Sequence, residues 1–171
     1  MKNVLVVYWP ERGNVESCAL KIRTAFGPET GLKSVKQLTE SDLRDADLIV
    51  AGCSTVGAET WKDATKNNAW SLFMVSQMSN LLRGKKVALF GLGDQVSYPN
   101  HYVDFMGILK KEFDHKGAQI IGRWPIEGYK FESSEAVEGD HFVGLALDED
   151  WQPELTDDRI KRWVELVKKE N

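Results

Sequence analysis

The loop Trp9-Pro10-Glu11-Arg12-Gly13-Asn14 follows the apolar run Val4-Leu5-Val6-Val7-Tyr8 and precedes a stretch of helical periodicity that begins at Val15. A strand, a glycine-containing loop and a helix in that order make an anion site. The first N–H groups of the helix have no partners inside it, and its dipole places partial positive charge there. Arg12 adds a guanidinium that either pairs bidentately with a phosphate or bonds to Glu11 or Glu16. Against an anion stand Pro10, which has no N–H, and Glu11, which carries a like charge. Two further loops follow apolar runs: Ser54-Thr55-Val56-Gly57-Ala58, and Leu92-Gly93-Asp94-Gln95-Val96-Ser97-Tyr98-Pro99-Asn100. Tyr98 sits in a polar loop, where its ring either covers one face of a flat aromatic ligand or caps the sheet edge.

Several other chemistries are excluded. No G-x-x-x-x-G-K-[ST] occurs, and Gly91-Leu92-Gly93 lacks the third glycine of a dinucleotide fingerprint. His101, His115 and His141 are scattered and have no metal-ligand spacing. Cys18 lies on an apolar helical face and reads as core packing. Cys53 ends an apolar run beside a loop, where a thiol nucleophile is conceivable but no base can be placed for it. A receiver domain would want an acidic pair after the first strand and an aspartate ending the third. Trp9-Pro10 and Ser54-Thr55 stand there instead.

The elements that position the loops follow from periodicity. Residues 3–8 read as a strand. A helix follows with Asn14 as its cap and Val15, Cys18, Ala19, Ile22 and Phe26 on one face, stopped by Gly27-Pro28. A weak strand over 33–36 precedes a short helix over 39–44 capped by Thr39. Residues 47–53 read as a fully buried strand. A helical face emerges in the second half of 61–82, from Trp70 to Leu82. Residues 85–90 form a fourth strand, Val103, Met106, Leu109 and Phe113 mark a helix, and a fifth strand begins at 119–121. It is interrupted by an excursion over 122–140 and resumes over 141–147. The last helix has Thr156 as its cap and a stripe of Ile160, Trp163, Val164 and Val167. Alternating strands and helices predict a parallel sheet covered on both faces, with ligands bound beyond the carboxyl ends of the strands.

Composition sets the frame. With 171 residues, 42% hydrophobic and 28% charged, the chain reads as one globular domain. A net charge of −4 argues against wrapping nucleic acid and allows docking on a basic protein. Two distant cysteines suit a reducing compartment. The first apolar run is too short for a signal peptide, and none is long enough to span a membrane, so a cytoplasmic protein is expected.

The motifs Phe90-Gly91-Leu92-Gly93-Asp94-Gln95-x-x-Tyr98, Gly128-Tyr129-x-Phe131-x-x-Ser134-x-Ala136, Phe142-Val143-Gly144-Leu145-Ala146-Leu147-Asp148-Glu149-Asp150-x-Gln152 and Leu155-Thr156-Asp157-Asp158-Arg159-Ile160-x-x-Trp163 resemble the long-chain flavodoxins. The likeness runs over essentially the whole chain. It implies a three-layer α/β sandwich with a five-stranded parallel sheet of order 2-1-3-4-5, the fifth strand interrupted by an insertion. It also implies non-covalent FMN and low-potential one-electron transfer, with no enzymatic activity of its own. Partners would be redox proteins such as a flavodoxin reductase, met by a monomer. Carried over by residue, the resemblance makes Tyr98 the ring stacked on the flavin. Leu92, Gly93 and Asp94 become the loop at the pyrimidine edge, Asp150 an acidic position near the ribityl chain, and His101 a position usually polar.

Two loops depart from the family pattern. In the middle loop Val56 replaces the tryptophan that covers the second flavin face, and Trp61 either substitutes for it or packs at a helix start. In the phosphate loop Pro10, Arg12 and Val15 stand where threonines are expected, while Gly13 and Glu16 are kept. Losing three hydroxyl donors weakens a phosphate site by several hydrogen bonds, each worth roughly 1.5–3 kcal/mol to a charged group. Two readings therefore compete. One is an FMN electron carrier with a weakened phosphate site; the other is a non-redox binding protein that has lost FMN or takes a different small ligand. Asp148, Glu149 and Asp150, with Asp94, either steer a basic partner or are ordinary solvated surface.

Overall fold

The computed structural model describes residues 3–55 and 68–171. In chain order the elements are β1 (Val4–Trp9), α1 (Asn14–Phe26), β2 (Gly31–Ser34), α2 (Glu40–Asp45), β3 (Leu48–Cys53), α3 (Ala69–Val75), β4 (Lys86–Leu92), α4 (Asp104–His115), β5 (Gln119–Ile121), β6 (Trp124–Pro125), β7 (Val137–Glu138), β8 (His141–Phe142), β9 (Leu145–Leu147) and α5 (Thr156–Glu170). The main sheet is parallel, in the order β2-β1-β3-β4-β5. Its centre is apolar on both faces: every residue of β3 is buried, as is every residue of β4 after Lys86. That is why these strands read as unbroken hydrophobic runs. Flanking helices cover the sheet. α1 buries the expected face, Val15, Cys18, Ala19, Ile22 and Phe26, and packs against α5. α3 meets α4 through an edge contact of the Trp70 and Phe113 rings.

The fifth strand is built in two pieces laid end to end along β4. β5 pairs with Lys86–Ala88, and β9 pairs with Phe90–Leu92. The intervening residues form a small antiparallel sheet in the order β6-β8-β7. The expected strand over 141–147 is thus corrected. It splits at Val143 and Gly144, with β8 joining the small sheet and only β9 resuming the main one. Val143 N–H donates to Ala136 O at 2.9 Å, and Gly144 lies so close to β4 that an added Cβ would sit 2.2 Å from Leu89 O.

Three helix ends also differ from expectation. Asn14 is the first helical residue rather than the cap, which is Gly13 in extended conformation. Thr156 likewise lies inside α5; it is buried, and its hydroxyl bonds to the Glu149 carboxylate instead of capping the helix. The helical face expected up to Leu82 breaks after Val75. Ser76 Oγ donates to Phe73 O and Ser79 Oγ to Met74 O, and the chain tightens into a 3₁₀ turn over Gln77–Leu82. Among the described residues no helix is long and apolar enough to cross a membrane.

Candidate functional site

Strand register sets the site. Trp9 pairs with Cys53, Cys53 with Gly91 and Leu92 with Leu147, so the loops leaving β1, β3, β4 and β9 start side by side at one sheet edge. The sequence selects the first three of these loops; the fourth carries Asp148 and Asp150.

In the first loop the chain's own carboxylate has turned in. Glu16 accepts from Arg12 N–H at 2.5 Å and from Tyr8 O–H at 2.8 Å. The Arg12 N–H bond, then the Tyr8 bond and the Arg12 charge, hold the Glu16 carboxyl below the usual range despite desolvation. Tyr8 is pushed up to about 12 by burial and then by Glu16. The bond expected between Arg12 and Glu16 is therefore made by the main chain. The guanidinium is exposed and has no acceptor among the described residues. Arg12 adopts a left-handed backbone (φ 60°), which aims its N–H back at the helix start. The amides of Gly13, Asn14, Val15 and Glu16 have no acceptor among the described residues. Val15 contributes only that N–H, because its side chain is buried in the core. Trp9 packs beneath Lys36, whose Nζ lies 4.2 Å from the ring centroid. Pro10 and Glu11 are half-buried at the loop's crest.

The second and third loops are tied together. Thr55 Oγ donates to Leu92 O at 2.9 Å, and Phe105 N–H donates to Thr55 O at 2.9 Å. A Cβ on Gly93 would meet Thr55 Oγ at 2.7 Å, so the close approach requires glycine. Ser54 opens this loop; Val56, Gly57, Ala58 and Trp61 lie outside the described residues. In the third loop most amides are already used. Gly93 N–H goes to Leu147 O, Gln95 N–H to Asp148, and Tyr98 N–H to Asp94 O. Val96 and Ser97 N–H donate to the Asp94 carboxylate at 3.0 and 2.7 Å. Asp94 N–H alone in the stretch 93–98 has no acceptor among the described residues. Gly93's amide is thus unavailable to a ligand, and Asp94's side chain serves its own loop. Tyr98 is 47% exposed, with its ring at the rim.

The Asp94 carboxylate also accepts from the indole of Trp151 at 2.8 Å, joining the third loop to the fourth. Desolvation raises its pKa, but the donors of Ser97, Val96 and Trp151 outweigh that and leave it below the ordinary value. A depressed carboxyl stabilises the fold above its unfolded pKa, about 3.9, and that contribution is lost as pH falls through the folded value. The Trp151 indole N–H and the Val96 and Ser97 amide resonances are therefore expected to hold steady from neutral pH to about pH 5. They should then shift together below about pH 4. Independent shifts would show that Asp94 does not join the two loops.

The expected acidic patch needs one correction. Asp148 is fully buried, whereas Asp150 is exposed and Glu149 half-buried. Burial, and then the charges of Asp94, Asp148 and Glu149, raise the Asp150 carboxyl above its ordinary value. His101 is a surface residue paired to Asp104 at 2.9 Å. The thiol reading of Cys53 is overturned as well. Its Sγ is fully buried against Phe90 O, and burial raises its pKa, which disfavours the thiolate a nucleophile needs. Cys18 is buried too, and its thiol is pushed up to about 12 by burial, then by Glu149.

The insertion, whose role the sequence leaves open, backs the third loop. Glu132 and Ser133 N–H both donate to Pro99 O, at 2.7 and 3.0 Å. Ser133 Oγ donates to Asn100 O, Ser134 Oγ to Tyr102 O, and Glu135 N–H to Asp104 Oδ1 at 2.9 Å. Gln95, to which the sequence reading gives no role of its own, is buried behind the rim. A polar side chain in a polar loop carries no signal of burial.

Comparison with known proteins agrees with this geometry. The sequence pattern of the family described as Flavodoxin matches residues 6–163. A flavodoxin from Synechococcus elongatus is 40% identical over 99% of this chain and 98% of its own. Flavodoxin 1 of Escherichia coli is 34% identical over 96% and 92%. The crystal structure of Fusobacterium nucleatum flavodoxin bound to flavin mononucleotide superposes with a TM-score of 0.81 at 26% identity, covering 99% of both chains. With this sheet order, these loops at its carboxyl edge and relatives matched from end to end, the chain belongs to the flavodoxin family.

Proposed function

We propose that this protein is a single-domain, monomeric carrier of single electrons that binds FMN non-covalently between the loops after β1, β3 and β4. The observation that carries this reading is the row of four open amides, Gly13 to Glu16, at the positive end of a 13-residue helix. The donor set suits a phosphate, and a relative with the same fold is bound to FMN. Arg12 supplies a cation where the family's hydroxyls are missing, and Glu16 holds the loop closed from behind. The Asp94 amide would donate to the edge of the ring, and Tyr98 would cover one ring face. When bound, the flavin takes up and releases the electron; the chain binds it, orients it and surrounds it with negative charge. Asp94, Glu149 and Asp150 make added electrons costly, which favours a low potential. They also steer a basic redox partner, such as a flavodoxin reductase, at a rate that falls with added salt.

The phosphate contribution is expected to be smaller than three threonines would give, because Pro10 and Val15 offer no hydroxyl and Glu16 brings a fixed negative charge. Titrating the purified apoprotein with FMN and with riboflavin tests both parts. FMN should bind more tightly than riboflavin and give the protein a flavin absorption spectrum. A protein that binds neither flavin is the non-redox member described by the competing reading. Equal affinities would show that the loop after β1 does not hold the phosphate.

A further inference from the structure

We propose that Asp148 and Gln95 form a buried clamp that positions the ring-binding loop and so sets how tightly the flavin ring is held. This rests on the reading that the loop after β4 takes the ring.

Asp148 leaves the main sheet immediately after β9, and its carboxylate is fully buried. Oδ2 accepts from Gln95 N–H at 3.1 Å and from Gln95 Nε2 at 2.8 Å. Oδ1 accepts from Asp150 N–H at 3.0 Å and from Trp151 N–H at 2.9 Å. No ion pair to it is made among the described residues, and its two oxygens are met by four N–H donors. Gln95 is also buried, and its Oε1 accepts from Lys130 N–H at 2.5 Å. Two side chains therefore fasten three segments that are distant in sequence: the ring-binding loop, the loop after β9 and the insertion. Gln95 gives up its main-chain N–H, its side-chain N–H and its side-chain carbonyl to this arrangement, so it has no freedom left.

The position of the clamp points to function rather than general cohesion. Gln95 directly follows Asp94, whose N–H is the open donor of the loop, and precedes Tyr98 by three residues. Fixing Gln95 fixes the direction of the Asp94 amide. A buried carboxylate is a costly way to join two loops, since each lost donor leaves charge unmet. The arrangement is therefore intolerant of slack, as a preorganised binding edge requires. Asp148 and Gln95 are positioning residues; neither is expected to touch the ligand.

The test uses Gln95→Met, which keeps length and volume but removes both side-chain hydrogen bonds. Its apoprotein is titrated with FMN, riboflavin and lumiflavin, the last being the ring without ribityl or phosphate. All three are expected to bind roughly tenfold more weakly than to the wild type, leaving the FMN-to-riboflavin ratio unchanged. Asp148→Asn should weaken all three further, because its amide NH₂ must face two N–H donors however it turns. Should Asp148→Asn fail to fold, Gln95→Met still decides. Affinities for the three flavins unchanged in a folded Gln95→Met protein overturn the clamp. So does a loss confined to FMN, which would place the effect at the phosphate. A wild-type protein that binds none of the three overturns the flavin reading itself, a result distinct from either.

Discussion

Gly107→Ala is expected to lower stability by about 3 kcal/mol, the upper part of the range for overpacking, and to loosen the flavin site with it. Gly107 lies on the buried face of α4, where the insertion crosses it. A Cβ there would stand 2.1 Å from Glu135 O, 2.3 Å from Glu135 C and 2.7 Å from Ala136 N. These are main-chain atoms, so no side-chain rotation can make room. The insertion must move outward, but the same stretch makes the bonds of Glu132, Ser133, Ser134 and Glu135 to residues 99–104. In a chain of this size the loss corresponds to a fall in Tm of roughly 6–12 °C. Thermal unfolding checks the first part, and FMN titration well below the new midpoint checks the second. An unchanged Tm would mean that α4 and the insertion separate freely. A lowered Tm with intact flavin affinity would mean that the insertion does not brace the loop.

Arg12→Ala is expected to weaken FMN by roughly 10–100-fold while leaving riboflavin almost unaffected, about the loss of one hydrogen bond to a charged group. The structure sharpens this expectation by separating the residue's two roles. The bond to Glu16 comes from the main-chain N–H and survives truncation. The guanidinium, without an acceptor among the described residues, is what the substitution removes. Adding salt should narrow the gap between variant and wild type, because an exposed cation acts on the phosphate through screened charge. Equal losses for FMN and riboflavin would place Arg12's effect in the shape of the loop rather than at the phosphate.

Much of this fold was legible because its signals are local. The all-buried run of β3, the face of α1 and the stripe of α5 follow from the period of apolar residues, and the helix over Glu40–Asp45 follows from its Thr39 cap. The positions of the loops at the carboxyl edge follow from the order of those elements. Where several side chains compete for the same backbone groups, local signals failed. Asn14 and Thr156 are good caps by type, yet Glu16 and Glu149 reach into those regions and the chain is held differently. The stretch 141–147 is uniformly strand-like, but Gly144 fits only where it presses on β4, and this divides it between two sheets.

The sequence by itself determined the family, the sheet and the residue types of the loop after β1, because motif, periodicity and residue type are written along the chain. Only the tertiary structure decided which polar groups face a ligand and which face one another. Asp148 and Asp150 are the same residue two positions apart, and one is buried under four donors while the other is exposed. Gln95 and Asp148 meet across 53 positions of sequence. A carboxylate's surroundings are fixed by what folds against it, and no local pattern encodes that.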